Sequence, residues 1–300
     1  MNKTFIGYLQ LMRPANLPTA AADVVAGMVL AGIAGNINQF SFLNFEFYLL
    51  FICLVMASVL LYAGGVVLND VFDFQLDKKE RPERPIPSGV VSLKSASIFG
   101  GALLMLGITL GFYVHILCGS LALLLALFIL LYDGISKKHA FFGPINMGVC
   151  RGLNLLMGMS VFGTLLQWEY ALIPVVYIAA ITLISRGEVH GDNKRHIVFA
   201  GMLYTLVCIG LIVFHYANDG NTLQTIPFIL LFAILIYRPL IKAYSNNSPE
   251  NIKKAVIGGV LSIIVLDAVM AVGFSNWMVG IGILLLLPLS IILSKLFAVT

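Results

Sequence analysis

Long apolar runs separated by short polar stretches make up most of the chain from residue 15 onward. A helix needs about 20 apolar residues to cross the roughly 30 Å of hydrocarbon in a bilayer. The runs are continuous and do not alternate between polar and apolar positions as barrel strands do, so they predict membrane-spanning helices. We predict spans at 15–35, 46–68, 92–113, 115–132, 142–163, 168–187, 196–216, 223–243, 252–274 and 276–298.

The composition also indicates a membrane protein. Of the 300 residues, 60% are hydrophobic and 11% are charged, and the mean hydropathy is +0.98. Soluble domains carry about 25% charged residues. These values exclude a water-soluble enzyme, a nucleic-acid-binding protein and a disordered or collagen-like chain. The sequence therefore predicts an all-α polytopic membrane bundle that forms one domain over residues 1–300.

The distribution of charge predicts an orientation. All 18 Lys and Arg residues fall on one side of the membrane when the chain is threaded through the ten predicted spans. The positive-inside rule places that side in the cytoplasm. We therefore expect both termini, and the loops that follow even-numbered spans, to be cytoplasmic, and we expect the membrane to be a bacterial inner membrane.

Three carboxylates and one amide lie at the end of the second span. At 100° per residue, Asn69, Asp70, Asp73 and Asp77 fall within one 100° arc of a helix. A solvated acidic helix end is the alternative reading, but the residues between these four are apolar. The spacing therefore favours a functional cluster.

A second acidic pair follows the sixth span. Glu188 and Asp192 are one helical turn apart, and we expect them to face together on the same side of the membrane as the first motif. His190 lies between them and is either a metal ligand or an interfacial histidine. If the two helix ends meet, five carboxylates surround one cavity.

Such a cluster needs compensation, because two like charges about 6 Å apart repel by about 3 kcal/mol at an effective dielectric constant near 20. Oxygen ligands favour a hard cation, Mg²⁺ or Ca²⁺, and Mg²⁺ is commonly shared with substrate phosphates. Basic side chains near the acids would hold the far oxygens of a diphosphate. These candidates are Lys78, Arg81, Arg84, Lys137 and Arg151. The loop 81–87 is alternatively only a stiff, positively charged connection.

A dry, lipid-embedded cavity with such an entrance suits the ionisation of an allylic isoprenoid diphosphate, in which positive side chains and the cation stabilise the leaving group. Asn16 faces the same entrance if the first two spans pack together. Asp23 and Asp267 lie inside apolar spans, where an acid is either functional or satisfied by a polar partner. A cation or solute carrier, and an isoprenoid cyclase, are alternatives, although the two motifs end helices of equal orientation and do not suggest an inverted repeat.

At these residues the chain resembles the UbiA superfamily of intramembrane prenyltransferases, and within it the EboC-like subgroup. The shared features are Arg13-Pro14 with Asn16, Asn69-Asp70-x-x-Asp73-x-x-x-Asp77, Arg81-x-x-Arg84-Pro85-Ile86-Pro87, Gly143-Pro144-Ile145-Asn146 and Ser185-Arg186-Gly187-Glu188.

The resemblance implies a helical bundle around a central cavity and transfer of a polyprenyl group from an isoprenyl diphosphate to a small, unidentified acceptor. It implies two Mg²⁺ sites, with Asn69, Asp70, Asp73 and Asp77 at the first and Glu188 and Asp192 at the second. It also implies that Lys137 holds diphosphate and that Asn16, Asn69 and Asn146 border the substrate cavity. The chain departs from the family in three ways. In the second motif, Ser185 and Glu188 stand where the family commonly has Asp. Arg186 adds a positive charge that would replace part of the second ion's work, and 276–298 predicts a tenth helix where nine are usual.

Overall fold

The computed structural model describes residues 3–32, 45–188 and 191–297. Over these ranges the chain is helical and has no strand, which confirms the all-α prediction. The helices are α1 (Lys3–Met12), α2 (Leu17–Leu30), α3 (Phe45–Phe72), α4 (Phe74–Glu80), α5 (Leu93–Val114), α6 (Ile116–Gly134), α7 (Phe142–Met159), α8 (Leu172–Ser185), α9 (Lys194–Ala217), α10 (Thr222–Ser245), α11 (Pro249–Leu261), α12 (Ile263–Val272), α13 (Trp277–Leu284) and α14 (Leu286–Leu296). Short 3₁₀ turns at Pro14–Asn16, Ser136–Lys138, Ser160–Phe162 and Trp168–Ala171 join some of them.

Nine segments of the described ranges are long and apolar enough to cross a membrane. They coincide with the second to tenth predicted spans, with α11 and α12 forming one segment and α13 and α14 another. The first predicted span corresponds to α2, which has 14 residues, and its predicted end at 35 lies outside the described residues.

Helices α2 and α12 form the centre of the bundle, where nearly every side chain is buried. Helix α2 packs against α3, α7 and α12. It meets α7 so closely that a Cβ atom added to Gly27 would lie 2.2 Å from the carbonyl oxygen of Leu155, and one added to Gly158 would lie 2.3 Å from that of Val24. Small residues at such a crossing allow the two backbones to touch.

The loop between α4 and α5 is folded against the bundle. The backbone N–H of Val91 donates to the carbonyl of Pro85, and Ile86 and Val91 are buried in a cluster with Leu11 of α1. The loop that carries Arg81 and Arg84 therefore has a fixed shape at the end of α3.

The C-terminal segment packs against the start of the bundle. Helix α14 packs against the turn Pro14–Asn16 and against α2, and the Ser290 hydroxyl donates to the carbonyl of Ala15. This is the additional helix that the sequence predicts at 276–298.

Candidate active site

The first acidic motif lies on an almost continuous helix. Helix α3 ends at Phe72 and α4 begins at Phe74, yet the backbone N–H of Asp73 still donates to Asn69 and that of Asp77 to Asp73, at 2.9 and 2.8 Å. The predicted common face is therefore confirmed, with Asp73 at a slight break in the helix.

Two arginines bind the acids at one edge of this face. Arg13 Nη2 lies 2.6 Å from Asp70 Oδ1, and Arg84 Nη1 lies 3.2 Å from the same oxygen and 2.7 Å from Asp77 Oδ2. Arg13 reaches Asp70 from a left-handed backbone conformation, with φ of 49° immediately before Pro14. These charge-assisted bonds join α1, α3, α4 and the following loop at one point.

The other edge of the face points to the end of α6. Asn69 Nδ2 donates to Asp133 Oδ1 at 2.7 Å, and Lys137 Nζ lies 2.6 Å from Asp73 Oδ1. Each acid of the first motif is thus matched by a basic side chain from another part of the chain.

The acids consequently contact cations of the protein and do not converge on one another. Within the described ranges, no three His, Cys, Asp or Glu side chains lie close enough together to hold a metal ion as they stand. The donor atoms of the motif are nevertheless all carboxylate or amide oxygens on adjacent helical turns, the type of ligand that Mg²⁺ takes. To bind such an ion, these carboxylates must first give up the Arg and Lys side chains that they contact.

The second acidic motif is not helical, and the prediction that Glu188 and Asp192 share a helix face is wrong. Helix α8 ends at Ser185 because Asn193 folds back and donates its side-chain amide to the carbonyls of Leu183 and Ile184. Asp192 is exposed with φ of 50°.

Glu188 occupies the turn after α8, where its backbone N–H donates to Ser185. Burial raises the pKa of the Glu188 carboxyl above its ordinary value, and the positive charges of Lys253 and Arg81 act in the opposite direction. The loop after the first motif thus places the positive charge of Arg81 near enough to act on the second motif. The predicted candidate His190 lies outside the described residues.

A cavity of about 550 Å³ lies between the two motifs. Its polar lining combines both motifs with the start of the chain and the end of α6: Arg13, Asn16, Asn69, Tyr132, Asp133, Ser185 and Glu188. Much of the rest is aliphatic, with Leu125, Ile129, Ile178, Ile181, Val256, Val260 and Ile263. The two motifs therefore meet at one cavity, as predicted. The expectation that five carboxylates surround it is wrong, because Glu188 is the one acid of those five that lines it. The other four are not among the lining residues: Asp70, Asp73, Asp77 and Asp192.

The three predicted cavity residues divide into two groups. Asn16 and Asn69 line the cavity. Asn146 does not: it is buried and hydrogen-bonds with the Ser136 hydroxyl at 2.9 Å. It thereby contacts the 3₁₀ turn that carries Lys137.

Arg151 lies about halfway along α7, inside the bundle. Its Nη1 donates to Asp23 at 2.7 Å, its Nη2 donates to Thr19 at 2.6 Å, and the guanidinium lies over the Tyr62 ring at 5.2 Å. Asp267 on α12 is also buried, and its Oδ2 meets no donor among the residues that the structure describes. Asp23 is thus the ion-pair partner of this buried arginine, whose predicted contact with diphosphate stays a prediction.

Lys78 and Arg81 are exposed and form no ion pair within the part of the chain that the structure describes. Both side chains thus place a positive charge beside the first motif without a carboxylate in direct contact. Such charges can receive an anion without first giving up a carboxylate.

Asp133 is the site residue that the sequence interpretation overlooks. It is 3% exposed and lines the cavity at the end of α6. Its signal is an acid at the end of a membrane span, four residues before Lys137, where a helical turn brings the two side chains to the same side.

The chain matches the UbiA prenyltransferase family over residues 24–256. The digeranylgeranylglyceryl phosphate synthase of Methanococcoides burtonii is 42% identical over 157 residues, which are 52% of this chain and 55% of the relative. The chain spans about half the length of this and other curated relatives of that name in these matches.

Two solved structures share the fold. One, described as giving structural and mechanistic insights into the biosynthesis of digeranylgeranylglyceryl phosphate synthase in membranes, has a TM-score of 0.68 at 22% identity and covers 91% of this chain and 99% of its own. The other, a UbiA homolog from Archaeoglobus fulgidus bound to GPP and Mg²⁺, has a TM-score of 0.67 at 14% identity and covers 88% and 99%. At such identities the likeness establishes the fold, and the EboC-like assignment stays a prediction.

Proposed function

Because the chain belongs to the UbiA prenyltransferase family, we propose that it transfers a polyprenyl group from an allylic isoprenoid diphosphate to a small acceptor inside the membrane. The observation that carries this proposal is the single cavity that both acidic motifs border through Asn69 and Glu188, with aliphatic walls beyond them. A charged entrance and an apolar interior match a substrate with a diphosphate head and an isoprenoid tail.

The basic side chains at the entrance receive the diphosphate. Lys78 and Arg81 are free to make the first contact, and Arg84 and Lys137 lie next to them on the acids of the first motif. When the diphosphate binds, Arg84 and Lys137 leave their carboxylate partners and bind phosphate oxygens instead. The carboxylates of the first motif are then free. Positive charge held at the far oxygens stabilises the leaving group as the bond to the allylic carbon breaks.

Mg²⁺ suits the carboxylates that this exchange releases. Asn69, Asp70, Asp73 and Asp77 would hold one ion, and Glu188 with Asp192 would contribute to a second. When bound, Mg²⁺ supplies charge neutralisation of the departing diphosphate. The A. fulgidus homolog, which was solved with GPP and Mg²⁺, supports this assignment.

The aliphatic part of the cavity holds the prenyl chain and keeps water away from the reacting carbon. Leu125, Ile129 and Ile178 offer no group that would attack an allylic cation. The rings of Tyr62 and Tyr132 border the same space, and aromatic faces stabilise positive charge. The acceptor then forms a bond to the allylic carbon and loses a proton.

The names of the relatives suggest a glyceryl phosphate lipid as one acceptor to test. Purified full-length protein in nanodiscs would be incubated with prenyl diphosphates of graded length, with and without Mg²⁺. Diphosphate release and prenylated product would be measured together, and lipid extracts of cells with and without the protein would be compared by mass spectrometry.

We expect Mg²⁺-dependent diphosphate release coupled to a prenylated acceptor. Release coupled to a cyclic hydrocarbon would assign the chain to a cyclase. Uptake of a divalent metal into proteoliposomes without any diphosphate release would support a carrier and overturn the proposal.

A further inference from the structure

One oxygen of Asp133, a residue that lines the cavity, is an acceptor without a partner among the described residues. Oδ1 accepts the Asn69 amide, whereas Oδ2 is buried and meets no donor among the residues that the structure describes. The residue as a whole is 3% exposed and borders the cavity. Burying an unsatisfied polar atom costs about 1–3 kcal/mol, and more for a charged group.

The charged side chains around Asp133 leave it without an ion pair of its own within the described ranges. The carboxylate of Asp73 acts on it as a second negative charge, and Lys137 and Arg13 act as positive ones. Lys137 is already paired with Asp73 at 2.6 Å, and Arg13 is paired with Asp70 at 2.6 Å. Both positive side chains therefore already have a carboxylate partner of their own, which leaves Asp133 with an amide hydrogen bond and no ion pair within the described ranges.

Asn69, which donates to the same carboxyl group, offers a second oxygen. Its amide nitrogen is committed to Asp133, so its carbonyl oxygen is the atom that remains for a ligand. Asn69 and Asp133, which belong to two different helices, thus border the same cavity and offer an amide oxygen and a carboxylate oxygen. Both are ligand types that hard divalent cations take.

We propose that Asp133 is a further ligand of the divalent cation at the first acidic motif. The assignment rests on the proposed function for the identity of the ion as Mg²⁺. It adds a carboxylate from α6 to the four residues on α3 and α4, in a chain whose second motif has Ser185 in place of an acid.

Asp133→Asn separates ligation from simple support of Asn69. The new amide oxygen still accepts the Asn69 hydrogen bond, but the negative charge and the second carboxylate oxygen are lost. Asp219→Asn is the matched control, since Asp219 is exposed, lies in the connection between α9 and α10, and has φ of 55°, a conformation that Asn tolerates.

Mn²⁺ serves as the probe, titrated into the purified full chain and followed by electron paramagnetic resonance, with and without inorganic diphosphate. We expect Asp133→Asn to weaken Mn²⁺ binding at least about tenfold, the scale of effects at residues around metal sites, while Asp219→Asn binds as wild type does. Thermal unfolding in EDTA should show Asp133→Asn to be as stable as wild type or more stable, because a buried carboxylate has been neutralised.

Binding of Mn²⁺ to Asp133→Asn within twofold of wild type would overturn the assignment, as would a wild-type protein that binds no Mn²⁺ under either condition. Failure of the proposed function has a different signature. In that case no prenyl diphosphate releases diphosphate, while the difference in Mn²⁺ affinity between the two proteins persists.

Discussion

Arg84 joins two acids that lie seven residues apart. One of its nitrogens contacts both Asp70 and Asp77, whose side chains are 8% and 5% exposed. Removing a partner from a buried ion pair leaves an uncompensated charge, which is far more costly than the loss of an exposed pair. Asp73 differs, since its side chain is 25% exposed and Lys137 is its one ion-pair partner among the described residues. It is therefore the acid of this motif whose role can be tested with the least damage to the fold.

We predict that Asp73→Asn lowers the rate of diphosphate release at least about 100-fold, the scale on which removal of one transition-state contact acts. The unfolding temperature should change little, because a partly exposed ion pair contributes at most about 1 kcal/mol. The rate would be followed with labelled prenyl diphosphate and the temperature by light scattering. Normal diphosphate release from a well-folded Asp73→Asn protein would remove this acid from the mechanism.

The ionisation of Glu188 gives the enzyme a predicted pH dependence. Burial raises the pKa of this carboxyl, and Lys253 opposes that shift. Lys253→Gln removes a positive neighbour, so the pKa rises further and the carboxylate is lost at higher pH. We predict that the acidic limb of the rate–pH profile for diphosphate release moves to higher pH in this variant.

Lys254→Gln supplies the control for that measurement, since Lys254 adjoins Lys253 in the chain but pairs with Glu250 at 2.5 Å. Its acidic limb should coincide with that of wild type. If the acidic limbs of the rate–pH profiles coincide for Lys253→Gln and Lys254→Gln, the charge of Glu188 is not needed for turnover.

The residues of the first acidic motif could be predicted from the sequence, but their side-chain contacts with distant parts of the chain could not. Asn69, Asp70, Asp73 and Asp77 are found by helical spacing alone, because all four lie within nine residues. The contact of Asn69 with Asp133 joins residues 64 apart, and that of Arg151 with Asp23 joins residues 128 apart. Spacing along one helix carries no information about such pairs, so Asp133 was overlooked.

At the scale of elements, the crossing of α2 and α7 sets how tightly the bundle centre closes. Gly27 and Gly158 bring each backbone against the other, and the same helices are bound by the Asp23–Arg151 pair and by Asn154, which donates to the carbonyl of Ala20 at 3.0 Å. Arg151 and Asn154 also line the cavity. Any separation of the two helices therefore alters the wall of the substrate cavity.

Gly158→Ala should destabilise the protein by about 1–3 kcal/mol, the usual cost of overpacking, since the added methyl would lie 2.3 Å from the carbonyl oxygen of Val24. Reversible unfolding in mixed micelles would measure the change. Gly101→Ala in α5 is the control, because nothing lies within 4 Å of its added methyl. Equal stability of the two variants would mean that α2 and α7 are not held this closely.

Some helix ends can be predicted from the sequence and others cannot. The nine described membrane segments follow from hydrophobicity, because the length of an apolar run is a property of the local sequence. The end of α8 depends on the Asn193 side chain, which turns back onto the carbonyls of Leu183 and Ile184. Polar residues 186–195 after an apolar span fit either a longer helix or a turn, and helical spacing alone favoured the longer helix.

At the scale of the whole molecule, one surface is apolar and one end is charged. Large hydrophobic side chains project outward from α9, α10, α13 and α14, among them Tyr216, Leu223, Leu285 and Leu296. A soluble monomer rarely exposes so much contiguous apolar surface, whereas a lipid bilayer covers it. The acidic motifs and their basic partners lie at the helix ends that the positive-inside rule assigns to the cytoplasm.

This orientation is testable with single cysteines placed in a variant that lacks the four native ones. We predict that cysteines at Ser88 and Asn247 react with a membrane-impermeant maleimide only from the cytoplasmic side. Cysteines at Asp219 and Ser275 should react only from the opposite side. The reverse pattern would place the site on the outer face of the membrane.

The pairing of Asp23 with Arg151 has a consequence for biogenesis. The two residues are 128 positions apart, so a ribosome adding about 5–20 residues per second needs roughly 6 to 26 s to make the second after the first. During that interval the nascent α2 carries an acid whose insertion at mid-bilayer costs about 2.5–3.5 kcal/mol. We therefore expect α2 to become more stable in the membrane once α7 has emerged and supplied Arg151.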